Sequence, residues 1–319
     1  MGTGIEPTND FVFKFLFGAE ERTDVLASLL NAVITDSGGV PMRHLQLSNP
    51  FSVKETIDDR IGILDIRARD DLDRESLVEM QMIAHASLAE RLVWYISKCY
   101  DQQLAEGERF TTLRPVIMVC FLNDTLFADN SGQYHWCFKL LDKDSGRLLS
   151  DQFVIHIIEL PKFKKAVDEL VSELDRWTYF LKHGSKLDHD NLPPQLQTAG
   201  ITKAVGGLVM FSLDEQKQHE YTRRRMWEMD QKAYFDDAIQ KGEQIGRTKG
   251  RTEGRTEGRT EQGLSMLLRV GTRKFGVPPA EVLAQLQAIQ NVSELEVILE
   301  RVLEASSWDE MLRHRSESL

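Results

Sequence analysis

The 319-residue chain is poor in cysteine, in long apolar runs and in positive charge. Its three cysteines, Cys99, Cys120 and Cys137, are odd in number and show no Cys-x-x-Cys spacing. A disulfide framework and a zinc site are therefore not expected, and the three read as buried free thiols in a reducing cytoplasm. The longest apolar run, Val116–Leu122, is far too short to cross a bilayer and suits a buried strand. No basic-then-apolar leader opens the sequence, so export is not expected. Neither a P-loop, a dinucleotide glycine pattern nor a helix-turn-helix with a basic recognition helix is found. Basic side chains number 39 against 50 acidic ones, a net charge of −11, whereas a duplex binder ordinarily shows a basic face. The deficit is uneven, since residues 217–274 hold 14 basic and 9 acidic side chains.

What the chain does have is a pair of short alternating segments, Arg60–Arg69 and Ser76–Met82, reading RIGILDIRAR and SLVEMQM. The acidic turn Asp70-Asp71-Leu72-Asp73-Arg74 lies between them, and period-two alternation about a polar turn predicts a hairpin. With Leu72 at the midpoint, Asp65 falls opposite Glu79 and Ile63 opposite Gln81. Alternation then puts Asp65, Glu79 and Gln81 on one face. Two carboxylates facing each other across a strand pair repel, and a bound divalent cation turns that cost into a use. Mg²⁺ takes oxygen ligands, usually one or two carboxylates with waters retained, and can activate a phosphoryl centre. The plainer reading is a solvated sheet face with Arg67 softening the repulsion.

Around the hairpin, strands and helices alternate, which predicts an α/β core with a mixed sheet. Phe11, Phe13, Phe15, Leu16 and Phe17 make a densely apolar first helix, capped by Asn9 or Asp10 and closed by Gly18. Asp10 and Lys14 sit one turn apart and are expected to face one another. A second helix is expected near Arg22–Ile34 and a strand over Arg43–Leu47. After the hairpin, Ser87–Gly107 reads as a helix with Leu88, Leu92, Ile96, Tyr100 and Leu104 toward the core and Arg91, Tyr95 and Cys99 on another side. His85, just before it, is either a proton shuttle or a simple turn residue. Strands follow at Pro115–Leu122, Tyr134–Leu141 and Phe153–Leu160, then helices at Phe163–His183 and near Leu196–Leu213.

The order hydrophobic-hydrophobic-Asp, a turn, then Glu-x-Gln on the next strand resembles the PD-(D/E)XK nuclease superfamily. More specifically, the chain is similar to the Rpn family of recombination-promoting nucleases, also labelled transposases. The matching segments run from Asn9-Asp10-Phe11-Val12-Phe13-Lys14-Phe15-Leu16-Phe17-Gly18 through Ile63-Leu64-Asp65 and Val78-Glu79-Met80-Gln81. They continue into the helix around Arg91, Tyr95 and Tyr100 and the strand Arg114–Leu122. The resemblance implies a restriction-endonuclease-like mixed-sheet core and a metal-dependent DNA endonuclease hydrolysing phosphodiester bonds. Asp65, Glu79 and the Met80 backbone carbonyl would hold Mg²⁺ or Mn²⁺, with Gln81 orienting water or phosphate. Asp10 would lie near the metal and Lys14 near a phosphate. Gln81 stands where the wider superfamily usually places lysine, and it carries no charge with which to clamp a phosphate.

Residues 1–213 form the expected nuclease-like domain, and 214–262 a basic helical arm containing Arg223-Arg224-Arg225 and an Arg-Thr-Glu-Gly repeat. In the repeat, arginines and glutamates each recur at four-residue spacing and glycine fills every fourth position. Like charges at i,i+4 and repeated glycine both oppose a helix, which predicts a marginal hinge ordered by self-association. Residues 263–319 are expected to close a small helical domain around Leu267, Leu286, Ile298 and Trp308, among others, with self-association or regulation as its task. A second reading therefore stays open: a catalytically inactive nuclease-fold protein that binds itself or a regulatory protein through its C-terminal helices. Gln81 and the acidic balance favour it; the Asp65/Glu79 pair favours the nuclease.

Overall fold

A computed structural model describes residues 2–48, 65–84, 86–128 and 132–312. The chain divides into two units, Met1–Asp230 and Gln231–Leu319, and the basic arm expected from residue 214 begins inside the first. Among the described residues its sheet has six strands in the order β1-β2-β3-β4-β6-β5. These are β1 (Gln46–Ser48), β2 (Ile66–Arg69), β3 (Glu75–Gln81), β4 (Val116–Leu122), β5 (His135–Leu141) and β6 (Leu148–Glu159). The central β3, β4 and β6 run parallel, with β1 and β2 antiparallel at one edge and β5 at the other. The mixed α/β core expected from the sequence is the one observed.

The turn between β2 and β3 sets the register. Asp70 accepts hydrogen bonds from the Leu72 and Arg74 amides at 3.0 and 2.8 Å, and its other oxygen takes Arg74 Nε and Nη2. Arg74 also donates to the carbonyls of Val40 and Pro41, which ties the turn to the preceding loop. Asp73 adopts φ 58°, a left-handed conformation that aspartate tolerates better than most side chains. With the turn so fixed, Ile66 pairs with Val78 and Arg69 with Glu75, the register centred on Leu72.

Two apolar layers enclose the sheet. On one side α1 (Asp10–Phe17), α2 (Thr23–Asp36), α4 (Glu173–His183) and α5 (Ala199–Ser212) bury Phe13, Phe17, Trp177 and Phe211 against Ile66, Val78, Met80 and Phe121. Asn9 caps α1 by accepting from the Val12 amide, and Gly18 ends it with its N–H on the Lys14 carbonyl at 2.8 Å. Helices α2 and α5 approach so closely that a Cβ on Gly200 would lie 2.5 Å from Ser28 Oγ. On the other side α3 (Leu88–Asp101) packs on Leu77, Met118 and Cys120 of β3 and β4, with Leu126, Phe127 and Trp136 at the margin of the same layer.

Three helical expectations need correction. Helix α3 stops at Asp101, and the Gln102, Gln103 and Leu104 amides bond back in tight turns, so Leu104 lies beyond it. Its buried stripe is Leu88, Leu92, Tyr95, Ile96 and Cys99; Tyr100 is only half-buried, edge-on to Phe153. Helix α4 starts at Glu173 rather than Phe163, because Ser172 and Asp175 form a reciprocal capping box there. Cys99 and Cys120 are buried free thiols as expected, but Cys137 is exposed.

Helix α6 (Glu215–Phe275) is one 61-residue element that includes the whole repeat, so the tract expected to be marginal is helical. Thr248, Thr252, Thr256 and Thr260 each donate to the carbonyl four residues back, which keeps their hydroxyls satisfied within the helix. Lys249 also pairs with Glu253 at 3.8 Å. It is an i,i+4 contact that a count of arginines and glutamates alone overlooks, and at this exposure it contributes little. Beyond it α7 (Ala280–Gln287), α8 (Val292–Arg301) and α9 (Trp308–Leu312) close a separate core with Leu267, Leu286, Ile298, Val302 and Trp308 buried. Among the described residues no helix is long and apolar enough to cross a membrane.

Candidate active site

The site grows out of the hairpin register. Asp65 immediately precedes β2, and continuing the pairing from Ile66 and Val78 sets it opposite Glu79. The Met80 N–H donates to Asp65 Oδ2 at 2.7 Å, pinning the carboxylate across the strand pair. Lys14, one turn before the end of α1, places Nζ 2.9 Å from Asp65 Oδ1. Glu79 is 6% exposed. Its Oε1 lies 3.6 Å from Arg91 Nη2 on α3, and its Oε2 is buried with no hydrogen-bond partner among the described residues. The pair sits at the carboxyl ends of the parallel strands, the usual place for a site in an α/β sheet.

Burial and mutual repulsion dominate the electrostatics. Removal from water pushes Glu79 up to about 8, and the Asp65 charge adds to this while Arg91 and Lys14 oppose it. Asp65 is also raised, by burial first, despite the charge of Lys14 and the bonds from Met80 and Lys14. Two acids held this way favour a shared proton or a bound cation over two bare charges.

Gln81 closes β3 two residues beyond Glu79, hence on the same strand face, and is half-buried. Asp10 and Lys14 do not pair with each other as expected. Lys14 is taken by Asp65, and Asp10 by Arg224 of α6, with Nη1 2.5 Å from Asp10 Oδ2. Partners from outside the helix displace a local pair that is worth only a few tenths of a kcal/mol, roughly 0.2–0.5. Next to it Asn9 Nδ2 donates to Glu228 Oε1 at 2.9 Å. Met80 turns its side chain into the opposite apolar layer. Ile63, Leu64 and His85 lie outside the described residues.

Sequence reasoning overlooks two neighbours. Arg224 lies 214 residues from Asp10, and nothing in the local pattern of the arm distinguishes it from Arg223 or Arg225. Glu75, fully buried at the start of β3, is held by Arg67 Nε and Arg69 Nη2, both at 2.6 Å, and by Cys99 Sγ at 2.9 Å. Burial pushes Glu75 up, but the bonds from Arg67, Cys99 and Arg69 outweigh it and leave the carboxyl below its ordinary range. The alternation of Arg67, Arg69, Glu75 and Glu79 is the available signal, since all four share a face.

Among the described residues no group of three or more His, Cys, Asp and Glu side chains is arranged to hold a metal ion. A magnesium site does not require one, because one or two carboxylates with waters suffice. The orphaned, buried Glu79 Oε2 beside a second raised carboxylate suits a divalent cation.

No curated protein and no solved structure matches the chain. The family model described as PD-(D/E)XK nuclease family transposase matches residues 7–238. That stretch carries α1, the hairpin, α3 and the start of α6, the elements that assemble the Asp65/Glu79 site, and the chain belongs to this family of nuclease-fold transposases.

Proposed function

We propose that the protein is a divalent-metal-dependent DNA endonuclease whose centre is Asp65 and Glu79, with the Met80 carbonyl as a further ligand. Membership of the family carries a nuclease- or transposase-like function and implies DNA as substrate. The observation that carries the finer reading is the buried Glu79 Oε2, which has no hydrogen-bond partner among the described residues and faces a second carboxylate raised by burial. When bound, Mg²⁺ or Mn²⁺ supplies Lewis acidity and charge neutralisation at the phosphoryl group. Asp65 is oriented for a ligand's role by the Met80 amide on one oxygen and Lys14 on the other. Lys14 is 37% exposed, so its remaining N–H groups can meet a substrate phosphate. Arg91 stands on the far side of Glu79 and offers a second cation to the same phosphate. Gln81 has an amide that can orient water or a phosphate oxygen but cannot serve as a charged base. Asp10 is paired with Arg224 and supports the site by fixing that arginine at the start of α1 rather than as a ligand.

Plasmid cleavage with and without Mg²⁺ tests this. Asp65→Ala and Glu79→Ala are each expected to abolish cleavage with folding retained, by circular dichroism. EDTA-sensitive cleavage at full rate in both variants would put the active centre elsewhere.

A further inference from the structure

We propose that Arg224 of α6 is a positioning residue for the cleavage centre: by holding Asp10 it keeps that carboxylate from capturing Lys14 and leaves the lysine to Asp65. The proposal rests on the nuclease reading and adds to it a residue supplied by the helical arm.

One lysine stands between two carboxylates. Asp10 and Lys14 are four residues apart on α1, the spacing at which an acid and a base on a helix ordinarily meet. Asp65 offers the other partner, with its Oδ1 2.9 Å from Lys14 Nζ. The two carboxylates differ in their access to water. The Asp65 side chain is 6% exposed and that of Asp10 36%, so an ammonium drawn onto Asp65 gives up more hydration than one kept on Asp10. That loss cancels much of the Coulomb gain of the inner pair. The choice between the partners is then close enough for a third charge to decide it.

Arg224 is that charge, and the structure holds it firmly. Its Nη1 lies 2.5 Å from Asp10 Oδ2, and its Nε donates to Glu220 Oε1 at 2.7 Å. Different nitrogens of one guanidinium thus hold an acid of α1 and an acid of α6. The cation also stands 5.1 Å from the centre of the Phe11 ring. Around it the first turns of α6 are seated on the segment that opens α1. Tyr221, which is buried, accepts from the Glu6 amide at 3.2 Å, and Glu228 accepts from Asn9 Nδ2 at 2.9 Å. Tyr221, Arg224 and Glu228 stand at i, i+3 and i+7, one face of the helix. Asn9 caps α1 through its Oδ1, so Glu228 also fixes which way that side-chain amide faces. A guanidinium stays charged throughout the pH range of a folded protein. Asp10 is therefore kept occupied, and Lys14 remains on Asp65, where its other N–H groups can meet a substrate phosphate.

The test is a rescue by a second substitution, with folding checked by circular dichroism. Arg224→Met removes the charge and frees Asp10. Mg²⁺-dependent plasmid cleavage by the full chain should then fall roughly two- to five-fold in kcat/KM, the range of an exposed ion pair. Adding Asp10→Asn removes the competitor and should restore most of that loss. Arg224→Lys, which keeps a cation there, should show little of it. Lys14 itself is followed in EDTA by acetylation with an N-hydroxysuccinimide ester, read by peptide mass spectrometry. Its labelling should rise in Arg224→Met, where the lysine turns outward, and return to the wild-type rate in the double variant. An Arg224→Met protein that cleaves and labels like the wild type overturns the proposal. So does a double variant as impaired as Arg224→Met, the result that an arginine of merely structural use would give. If either occurs while cleavage still needs Asp65 and Mg²⁺, the nuclease stands and Arg224 loses its role. If the wild type cleaves no DNA, the nuclease reading falls, and the labelling alone decides whether Arg224 steers the lysine.

Discussion

Glu79→Gln should stabilise the metal-free protein while destroying its response to metal. The side chain is buried, one oxygen has no hydrogen-bond partner among the described residues, and its pKa is pushed up to about 8 from an ordinary 4.5 by burial first and the Asp65 charge second. A carboxyl raised in the folded state favours folding fully only below its unfolded value. Stability therefore falls as pH rises from 4.5 to about 8 and levels off above it. Integrated to pH 7, that linkage costs about 3 kcal/mol. Glutamine keeps the shape and removes the charge. Its amide N–H can donate toward Asp65, although an imperfect fit would return part of the gain, about 1 kcal/mol.

The expected net is thus about 2 kcal/mol at pH 7, or about 4–8 °C in melting temperature for a unit of this size. Thermal melts in EDTA from pH 4.5 to 8.5 provide the check. The variant's advantage should vanish at the acid end and grow steadily toward pH 8. Added Mg²⁺ should raise the wild-type melting temperature more at pH 8 than at pH 6, because the ion binds the charged carboxylates, and should leave the variant unmoved. A variant less stable than wild type across the whole range, with no pH trend, would show that Glu79 is not held as an unfavourable buried acid, and the case for a metal there would lose its main support.

Gln81→Lys should keep or raise metal-dependent cleavage if the side chain lies against the substrate phosphate; a folded but inactive variant would mean that the amide itself fixes the attacking water. Adding or deleting one Arg-Thr-Glu-Gly unit shifts the C-terminal remainder of α6 by about 6 Å and 40°. Cleavage and oligomer mass, read by light scattering, should survive either change, and loss of both would make the tract a register-dependent element.

The parts of this fold that are legible in the sequence are those decided within a few residues. The Asp70–Arg74 turn carries its own hydrogen bonds, and alternation on either side leaves one register that buries Ile66, Ala68 and Val78 together. From that register alone Asp65 meets Glu79. The apolar pattern overextends α4 because Phe163 and Leu170 supply apolar residues upstream, while the start of the helix is decided by the short-range Ser172/Asp175 box. In α3 the spacing of aliphatic residues alone misplaces the apolar stripe, since Tyr95 and Cys99 bury as fully as leucine. The repeat sets local and long-range terms against each other. Its charges and glycines weaken a lone helix, while Tyr221 before it and Leu267 after it are each buried in a core and lie on the same helical element.

The site itself is legible in composition but not in energetics. Asp65 and Glu79 come from the hairpin, but Lys14 comes from α1, Arg91 from α3 and Arg224 from α6, three elements that no local pattern relates. A carboxyl's pKa depends on how many such charges arrive and how much water they displace. The hairpin read alone gives two acids facing one another, equally suited to a solvated face or a metal site. With α1 and α3 packed on the sheet, Glu79 is buried to 6% exposure and its Oε2 has no hydrogen-bond partner among the described residues. The choice between those two readings therefore rests on long-range burial, which is why the decisive perturbation is one that removes the charge of Glu79 and leaves its volume in place.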